Sequence, residues 1–482
     1  MLRILRKASL VLVALLLLAC AWLLIGLMRP LDTIPMFGLG NRPIAIINVS
    51  VVDVASGKTL GGRTVFIENK VISWMGPADE FEVPVAAQRV DGTGRFLVPG
   101  LWDSHVHTLE HSPRFHFPLL IAHGVTSIRN LGDGCSWSTD VGCVPDQVEW
   151  STQGEGAGQL LPYSAVAASY HFEGSGDVVG SAERVGVLVN RGDTLIKLQL
   201  DDEVEPAVVH AIVVEARRLG IPVAGHLPAS IDLLDPLFDG IASIEHGNEL
   251  LDQCEMQATK AHSDGVVAGC ATLLRTLAAR RTAFVPTFVA STGQDALLGT
   301  NRRVEDERRQ YSPQVIASVW TVYRSLHAAG MDADDRRLAQ GRHQLAMELA
   351  LLAHASGVPV LAGTDALDPF VQHGASLHDE LEMLVEAGFS NADALRAATQ
   401  VPAEFHGLSG KSGQVIAGAR ADLILLREDP LQRIGATRAI DAVLKDGIYF
   451  DAAELARLQA FAREQSNSHA LNARLWWALL GG

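Results

Sequence analysis

Hydrophobic positions divide the chain into three regimes. The first is an apolar run, Ala8–Met28, preceded by Arg3, Arg6 and Lys7. At about 1.5 Å per helical residue, such a run reaches roughly 30 Å, the thickness of a bilayer core. It predicts an N-terminal transmembrane helix. Basic residues stay on the cytoplasmic side, which puts everything after Pro30 outside the cytoplasm. The second regime is β-rich and sits at both ends of the remaining chain. Ile44–Val54, Thr64–Ile67 and Val71–Trp74 predict strands near the start, with a turn at Ser56-Gly57-Lys58. Asp422–Leu426 and Ala442–Leu444 predict strands near the end.

Between them short apolar runs alternate with helical spacing. The runs are Leu97–Trp102, Val125–Arg129, Ser164–Ala168, Leu195–Leu200, Val223–Gly225, Ser243–Glu245, Ala283–Pro286 and Val358–Ala362. Several follow a helical segment that ends near a glycine, as at Gly124, Gly220 and Gly357. Strand, crossover helix, strand is the signature of a parallel sheet. Eight such runs suit a TIM (β/α)8 barrel, typically ~250 residues long. A doubly wound open sheet would want a Gly-rich phosphate-binding turn, and none is evident.

Composition changes the picture at two points. The formal net charge is −16, with no basic stripe beyond the N-terminus, which argues against a nucleic-acid partner. Cysteine usage fits export. Apart from Cys20, Cys135 and Cys143 form one local pair and Cys254 and Cys270 another, both in polar segments that read as loops. An oxidising compartment permits disulfides there. Two rivals to an uncleaved anchor are a cleaved signal peptide and a lipoprotein signal at Leu17-Leu18-Ala19-Cys20. The apolar continuation after Cys20 suits neither. The pattern ties the anchor to nothing downstream, so a chain starting near Asn41 is expected to be soluble and active.

Polar residues of ligand type recur at the ends of the apolar runs. His105 and His107 stand two apart, on the same side of one strand. His226 ends Val223–Gly225, His246 ends Ser243–Glu245, and Asp365 ends the last run. Lys197 lies inside Leu195–Leu200, where burial pushes an amine towards its neutral form. A neutral lysine can take up carbon dioxide as a carbamate able to bridge two metals; a lysine that merely reaches solvent is the alternative. One such residue at one strand end is unremarkable as a core or cap group. Six of them, all at the face where this barrel carries active sites, indicate a metal centre.

With these pieces the sequence resembles the amidohydrolase superfamily, in its imidazolonepropionase-like and prolidase-like branch. The matching segments are Val98–His107, Gly124-Val125-Thr126, Ile244–Gly247 and Ala362–Asp365, with Ala394–Thr399 and Gly418–Leu423 further on. The resemblance implies a TIM barrel with a small β-sandwich domain formed from both chain ends. The expected division is then 1–30 anchor, 43–98 first β-sandwich part, 99–400 barrel, 401–450 second β-sandwich part and 451–482 helical tail. It also implies two divalent metal ions, usually zinc. His105, His107 and Asp365 would hold one, His226 and His246 the other, with carboxylated Lys197 bridging them. Asp365 would take the proton of an attacking metal-bridging hydroxide and deliver it to the leaving nitrogen.

Two departures bear on substrate. Prolidase-like members carry an aromatic residue where this chain has Pro228, and Ser169-Tyr170-His171-Phe172 stands where relatives often have Gly-Gly-His. Tyr170 and His171 are the nearest candidates for holding a substrate carboxylate. The expectation is a membrane-anchored, periplasmic or otherwise extracytoplasmic hydrolase that cleaves a small peptide or N-acyl amino acid. A homo-oligomer is compatible with it. Rivals are a cyclic-amide or lactone hydrolase on the same centre, and a catalytically silent binding relative.

Overall fold

β-branched segments after the N-terminal helix form β1 (Ile44–Asp53), β2 (Lys58–Glu68), β3 (Val71–Pro77), β4 (Gln88–Asp91) and β5 (Phe96–Pro99). The alternating region supplies β6 (Leu101–Thr108), β7 (Val125–Asp133), β8 (Tyr163–Val166), β9 (Ala168–Phe172), β10 (Ile196–Leu200), β11 (Val223–His226), β12 (Ile241–Glu245) and β13 (Ala283–Val285). The C-terminal side adds β14 (Leu423–Leu426), β15 (Ile440–Lys445) and β16 (Ile448–Asp451). This computed structural model describes residues 2–35, 42–109, 111–133, 160, 162–166, 168–172, 177–191, 193–200, 204–227, 230–261, 266–291 and 307–480.

The two chain ends meet in one eight-stranded sheet, ordered β16-β15-β14-β5-β1-β2-β3, with β4 beside β1. β14 joins β5 antiparallel, Leu425 opposite Leu97, so strands more than 300 residues apart share a core with Ile46, Val65 and Leu444. The predicted run Leu97–Trp102 divides here. Phe96–Pro99 belongs to this sheet and Leu101–Thr108 to the next layer. Gly100 sits at the junction, where an added side chain would collide with Thr126.

The middle strands are parallel, in the orders β6-β7-β8 and β9-β10-β11-β12-β13. Helices between them bury one face, as Val208, Val209, Ile212, Val213 and Ala216 do on Pro206–Leu219. The last predicted run bonds to a neighbour on each side. Leu361 N donates to Phe284 O at 2.9 Å, and Ser104 N donates to Ala362 O at 2.9 Å. Pro359–Asp365 thus lies between β13 and β6, bridging at Val360 rather than forming a named strand. This is an α/β fold of TIM-barrel type.

The N-terminal helix Leu2–Met28 contains, in Ser9–Met28, the one stretch among the described residues long and apolar enough to cross a membrane. Its far end is not a loose tether. The last helix, His469–Leu479, packs on it so closely that a side chain at Gly26 would collide with Ala473. Arg474 donates to the carbonyls of Gly26 (3.3 Å), Leu27 (3.2 Å) and Arg29 (3.0 Å), satisfying acceptors that a helix C-terminus leaves open. Leu31 packs with Phe115, Val315 and Leu471, Gln465 donates to Asp32 at 2.8 Å, and Ile34 packs against the main core. This corrects the expectation that the segment before Asn41 contributes nothing to the body.

Removal of residues 1–21 is therefore expected to leave thermal stability nearly unchanged. Removal of residues 1–40 should cost about 3–5 kcal/mol, since it exposes the faces that Leu31 and Ile34 cover. Thermal or urea unfolding of the two truncated chains, compared in detergent, checks the difference.

Cys254 and Cys270 lie together, with Cα atoms 4.7 Å apart, but on the consecutive helices Gly247–Ala261 and Val266–Arg280 rather than on loops. Cys254 shares the buried helix face of Leu250 and Leu251, which polar neighbours hide in the sequence. Cys135 and Cys143 lie outside the described residues.

Candidate active site

Parallel strands in register carry their C-terminal ends to one side of the sheet. In that register Lys197 pairs with Ala224, Gln199 with His226, and Gly225 with Ile244. Gly225 has φ 142°, and a side chain there would strike the Leu198 backbone, so the approach of β10 to β11 depends on glycine. His246 and Asp365 have left-handed backbones, with φ of 66° and 60°. Neighbouring backbone holds both turns: His246 N donates to Val285 O at 2.8 Å, and Asp365 N to His105 O at 2.7 Å. Such conformations cost of order 1–3 kcal/mol and are kept where the surroundings over-determine them.

The side chains converge. Asp365 Oδ1 lies 3.0 Å from His107 Nε2 and 3.2 Å from His105 Nε2. His226 Nε2 and His246 Nε2 face each other at 3.0 Å, and the His105 and His246 rings are 4.8 Å apart. Ligand atoms of His105, His246 and Asp365 all lie within 4.8 Å of one another, as do those of His226, His246 and Glu249. Lys197 is 1% exposed, and its Nζ has no hydrogen-bond partner among the described residues.

A shell of oxygens fixes which ring nitrogens face the centre. Glu245 Oε2 lies 2.9 Å from His105 Nδ1, Thr287 Oγ1 lies 2.8 Å from His246 Nδ1, and Glu249 Oε1 contacts His226 Nδ1. Each bond occupies Nδ1 and leaves Nε2 for the centre. Glu245 is held in turn by Arg129, whose Nη2 is 2.8 Å from both carboxylate oxygens, and by Ser243 at 2.5 Å. Arg129 Nε also donates to Ser104 O at 2.6 Å, so β6, β7 and β12 are tied together under the site. Asp103 accepts from Thr364 N (2.9 Å) and Thr364 Oγ1 (2.7 Å), binding β6 to the segment that carries Asp365.

Burial dominates the electrostatics. It pushes the Lys197 amine below its ordinary range, against the pull of Glu245, Asp365 and Glu249. It drives the His226 and His246 imidazoles well below theirs, with the crowding of neighbouring basic groups adding to it, which favours their neutral forms. Burial alone would raise the Glu245 carboxyl, yet the Arg129 guanidinium and His105 outweigh it and hold Glu245 well below the carboxylate range. Burial raises Glu249 to about 8 and Asp103 to about 7.

The description of the amidohydrolase family fits the chain over residues 182–448, more than half its length. The chain belongs to the amidohydrolase family. This amidohydrolase is a hydrolase acting on carbon–nitrogen bonds. Its fold is similar to that of bottromycin amidohydrolase, at 24% identity and a TM-score of 0.67 over 94% of this chain and 96% of that one. It is also similar to a Xaa-Pro dipeptidase with methionine bound in its active site, at 18% identity and a TM-score of 0.58 over 85% and 100%. A third likeness is the ochratoxinase of A. niger, at 18% identity and a TM-score of 0.57 over 86% and 96%. No curated protein matches the chain.

The amidohydrolase residues suit metal ions on structural grounds. Two ring nitrogens, His226 Nε2 and His246 Nε2, lie 3.0 Å apart beside Asp365 and Glu249, near enough to serve one cation, and the buried Lys197 Nζ has no hydrogen-bond partner among the described residues. His105, His107, Lys197, His226, His246 and Asp365, all singled out in the sequence, come together at one end of the strands. Backbone pairing sets Tyr170 opposite Leu198 and His171 opposite Gln199, one strand from Lys197. Pro228 lies outside the described residues.

Sequence reasoning missed Glu245, Arg129, Thr287 and Glu249. Glu249 sits in the first turn of Gly247–Ala261, where an acidic residue is ordinary helix-dipole chemistry, so nothing marked it. For the fully buried pair the expected effect is on stability. Arg129→Met leaves Glu245 charged and unpaired, and should cost about 3–5 kcal/mol in denaturant unfolding.

Proposed function

We propose that this amidohydrolase is a binuclear, zinc-dependent enzyme that cleaves the amide bond of a small peptide or N-acyl amino acid. Its eight strand positions would form a closed (β/α)8 barrel over residues 99–400, and 43–98 with 401–450 a β-sandwich. The observation that carries this reading is the buried, unpartnered Lys197 amine among four histidines and Asp365. Burial lowers the pKa of this amine and so favours its neutral form, the form that reacts with carbon dioxide, and a carbamate there would supply two anionic oxygens.

In this reading His105, His107 and Asp365 would hold one ion and His226 and His246 the other, with a Lys197 carbamate as a ligand available to both. Divalent ions held there would polarise a substrate carbonyl and bring the pKa of water towards neutrality. The chain's own residues do the rest. Glu245, held as a carboxylate, accepts from His105 Nδ1 and so leaves its Nε2 a donor of electrons, while Thr287 Oγ1 orients the His246 ring through Nδ1. Asp365 stands beside His105 and His107, placed to take a proton from the attacking water and return it to the leaving nitrogen. Strand β9 lies one strand from Lys197, which supports Tyr170 and His171 as contacts to a substrate carboxylate.

A peptide or amide substrate is also supported by the fold's likeness to a Xaa-Pro dipeptidase and an amidohydrolase of bottromycin. The apolar helix with its docked end supports a retained anchor, and the closeness of Cys254 and Cys270 supports a disulfide in an oxidising, extracytoplasmic setting. Hydrolysis of a panel of dipeptides and N-acyl amino acids, beside lactones and cyclic ureides, tests the substrate class. The reading expects amides with an α-amino-acid leaving group to turn over fastest. Preference for lactones or cyclic ureides would contradict it.

A further inference from the structure

We propose that the last turn of the C-terminal helix, which carries Trp476 and Trp477, is a second membrane contact that seats in the lipid headgroup layer beside the first helix; the proposal rests on the retained-anchor reading above. Trp476 is 39% and Trp477 47% exposed, and Leu479 and Leu480 are exposed with them. The same helix, His469–Leu479, turns Leu471 and Leu475 inward onto Phe115 and Val315. Its inner face is thus spent on the body, and its last turn still presents large apolar side chains outward. Packing within the chain does not call for them.

Contacts with the first helix set the depth of this turn. His469 Nε2 donates to Trp22 O at 2.8 Å, and Ala473 meets Gly26 with no room for a side chain. Trp22 and Gly26 both lie inside Ser9–Met28, the stretch long and apolar enough to cross a membrane. Trp476 and Trp477 follow Ala473 by three and four residues, so they continue the same helix face, at most about 6 Å further along the axis. Gly26 is itself about 3 Å short of Met28 along the first helix. Whatever the angle between the two helices, both tryptophans therefore start within roughly 9 Å of the end of the apolar stretch. The headgroup layer beyond the hydrocarbon core is about 5–7 Å deep on each side, and an indole ring spans the difference. Tryptophan is favoured there because its ring is apolar while its N–H still reaches water.

What adjoins the pair favours lipid over a second copy of the chain. Leu24, Ile25 and Met28 on the first helix are exposed, and a helix that crosses a membrane meets lipid with such side chains. A protein seated on the tryptophans would have to displace that lipid. The contact also orients the catalytic body. Leu109, two residues past His107, packs against the cluster of Phe115, Val315, Leu471 and Leu475. Seating the tryptophans holds the His107 end of β6 on the membrane side.

The test is quenching of tryptophan emission by brominated lipid. The full chain is reconstituted in phosphatidylcholine vesicles whose bromine lies near the headgroup end of one acyl chain. Wild type, Trp22→Phe, and Trp22→Phe with Trp476→Phe and Trp477→Phe are compared. Trp22 reports the first helix, so W22F should lower the quenched emission if that helix is in the bilayer. In the W22F chain Trp476 and Trp477 are two of the seven tryptophans left, so they should account for quenching of up to about a quarter of the emission, and the triple variant should lose that share. Phenylalanine keeps these exposed positions apolar, so folding should survive. Should the triple variant fail to fold, W477F added to W22F reads the same loss at about half the size. Equal quenching of W22F and the triple variant, with Trp22 itself quenched, overturns the proposal and leaves the anchor standing. Quenching of no tryptophan overturns the anchor reading, and the proposal with it. An unquenched pair whose replacement abolishes a cross-linked dimer assigns the surface to a second copy, which also overturns the proposal.

Discussion

Lys197→Ala is expected to fold, to lose one or both metal ions, and to lose activity on the order of 10³-fold, equivalent to about 4 kcal/mol of barrier. Folding should survive because the Lys197 Nζ makes no hydrogen bond that the mutation would orphan. Truncation leaves a cavity between β10 and its neighbours, but it also removes an amine that burial already disfavours in its charged form. Function should not survive if the lysine bridges the ions as proposed, because no second amine stands in the cluster among the described residues. Metal content and kcat/KM on the best amide found in the panel are the measurements. Added short carboxylic acids should restore part of the activity by standing in for the carbamate. Full metal content with full activity would show that the site is not bridged by this lysine.

Asp365→Asn should have an effect of the same order, about 10³-fold in kcat, for a different reason. Asparagine keeps the size of the side chain and tolerates the left-handed backbone at φ 60°, so the Asp365 N to His105 O bond should remain. It cannot hold the anionic charge beside His105 and His107, and it cannot accept and return a proton. A loss in kcat with the unfolding temperature within a few degrees of wild type is the expected pattern. A change in KM alone would assign Asp365 to binding rather than proton transfer.

Much of the site was legible because strand ends announce themselves. His226 and His246 each close a short apolar run, and the parallel register sets those ends side by side. His105 and His107 were legible for the same reason, through the two-residue period of a strand. What stayed hidden depends on contacts between distant segments. Arg129 reads as the polar end of an apolar run, yet it crosses beneath the site to Glu245, 116 residues away. Glu249 reads as a helix-start acid, and only the approach of the helix to β11 gives it a partner. The left-handed turns at His246 and Asp365 carry no sequence mark, since neither position is glycine.

Fold organisation shows the same division. Period and length pointed to the parallel layer, but the pairing of β14 with β5 joins residues more than 300 positions apart, which local pattern alone cannot order. The docking of His469–Leu479 on the end of the first helix was equally invisible. It turns on Gly26 and Ala473 being small and on Arg474 reaching three carbonyls. The uninterrupted apolar run predicted the first helix's length and left its attachment unstated.

The central claim is that these residues form a two-ion hydrolytic centre, and metal analysis of the purified full chain tests it most directly. Two equivalents of divalent metal per chain are predicted, with amide hydrolysis lost on chelation and restored by zinc. A protein that binds no metal, or that hydrolyses amides at full rate after its metal has been removed, would contradict the account.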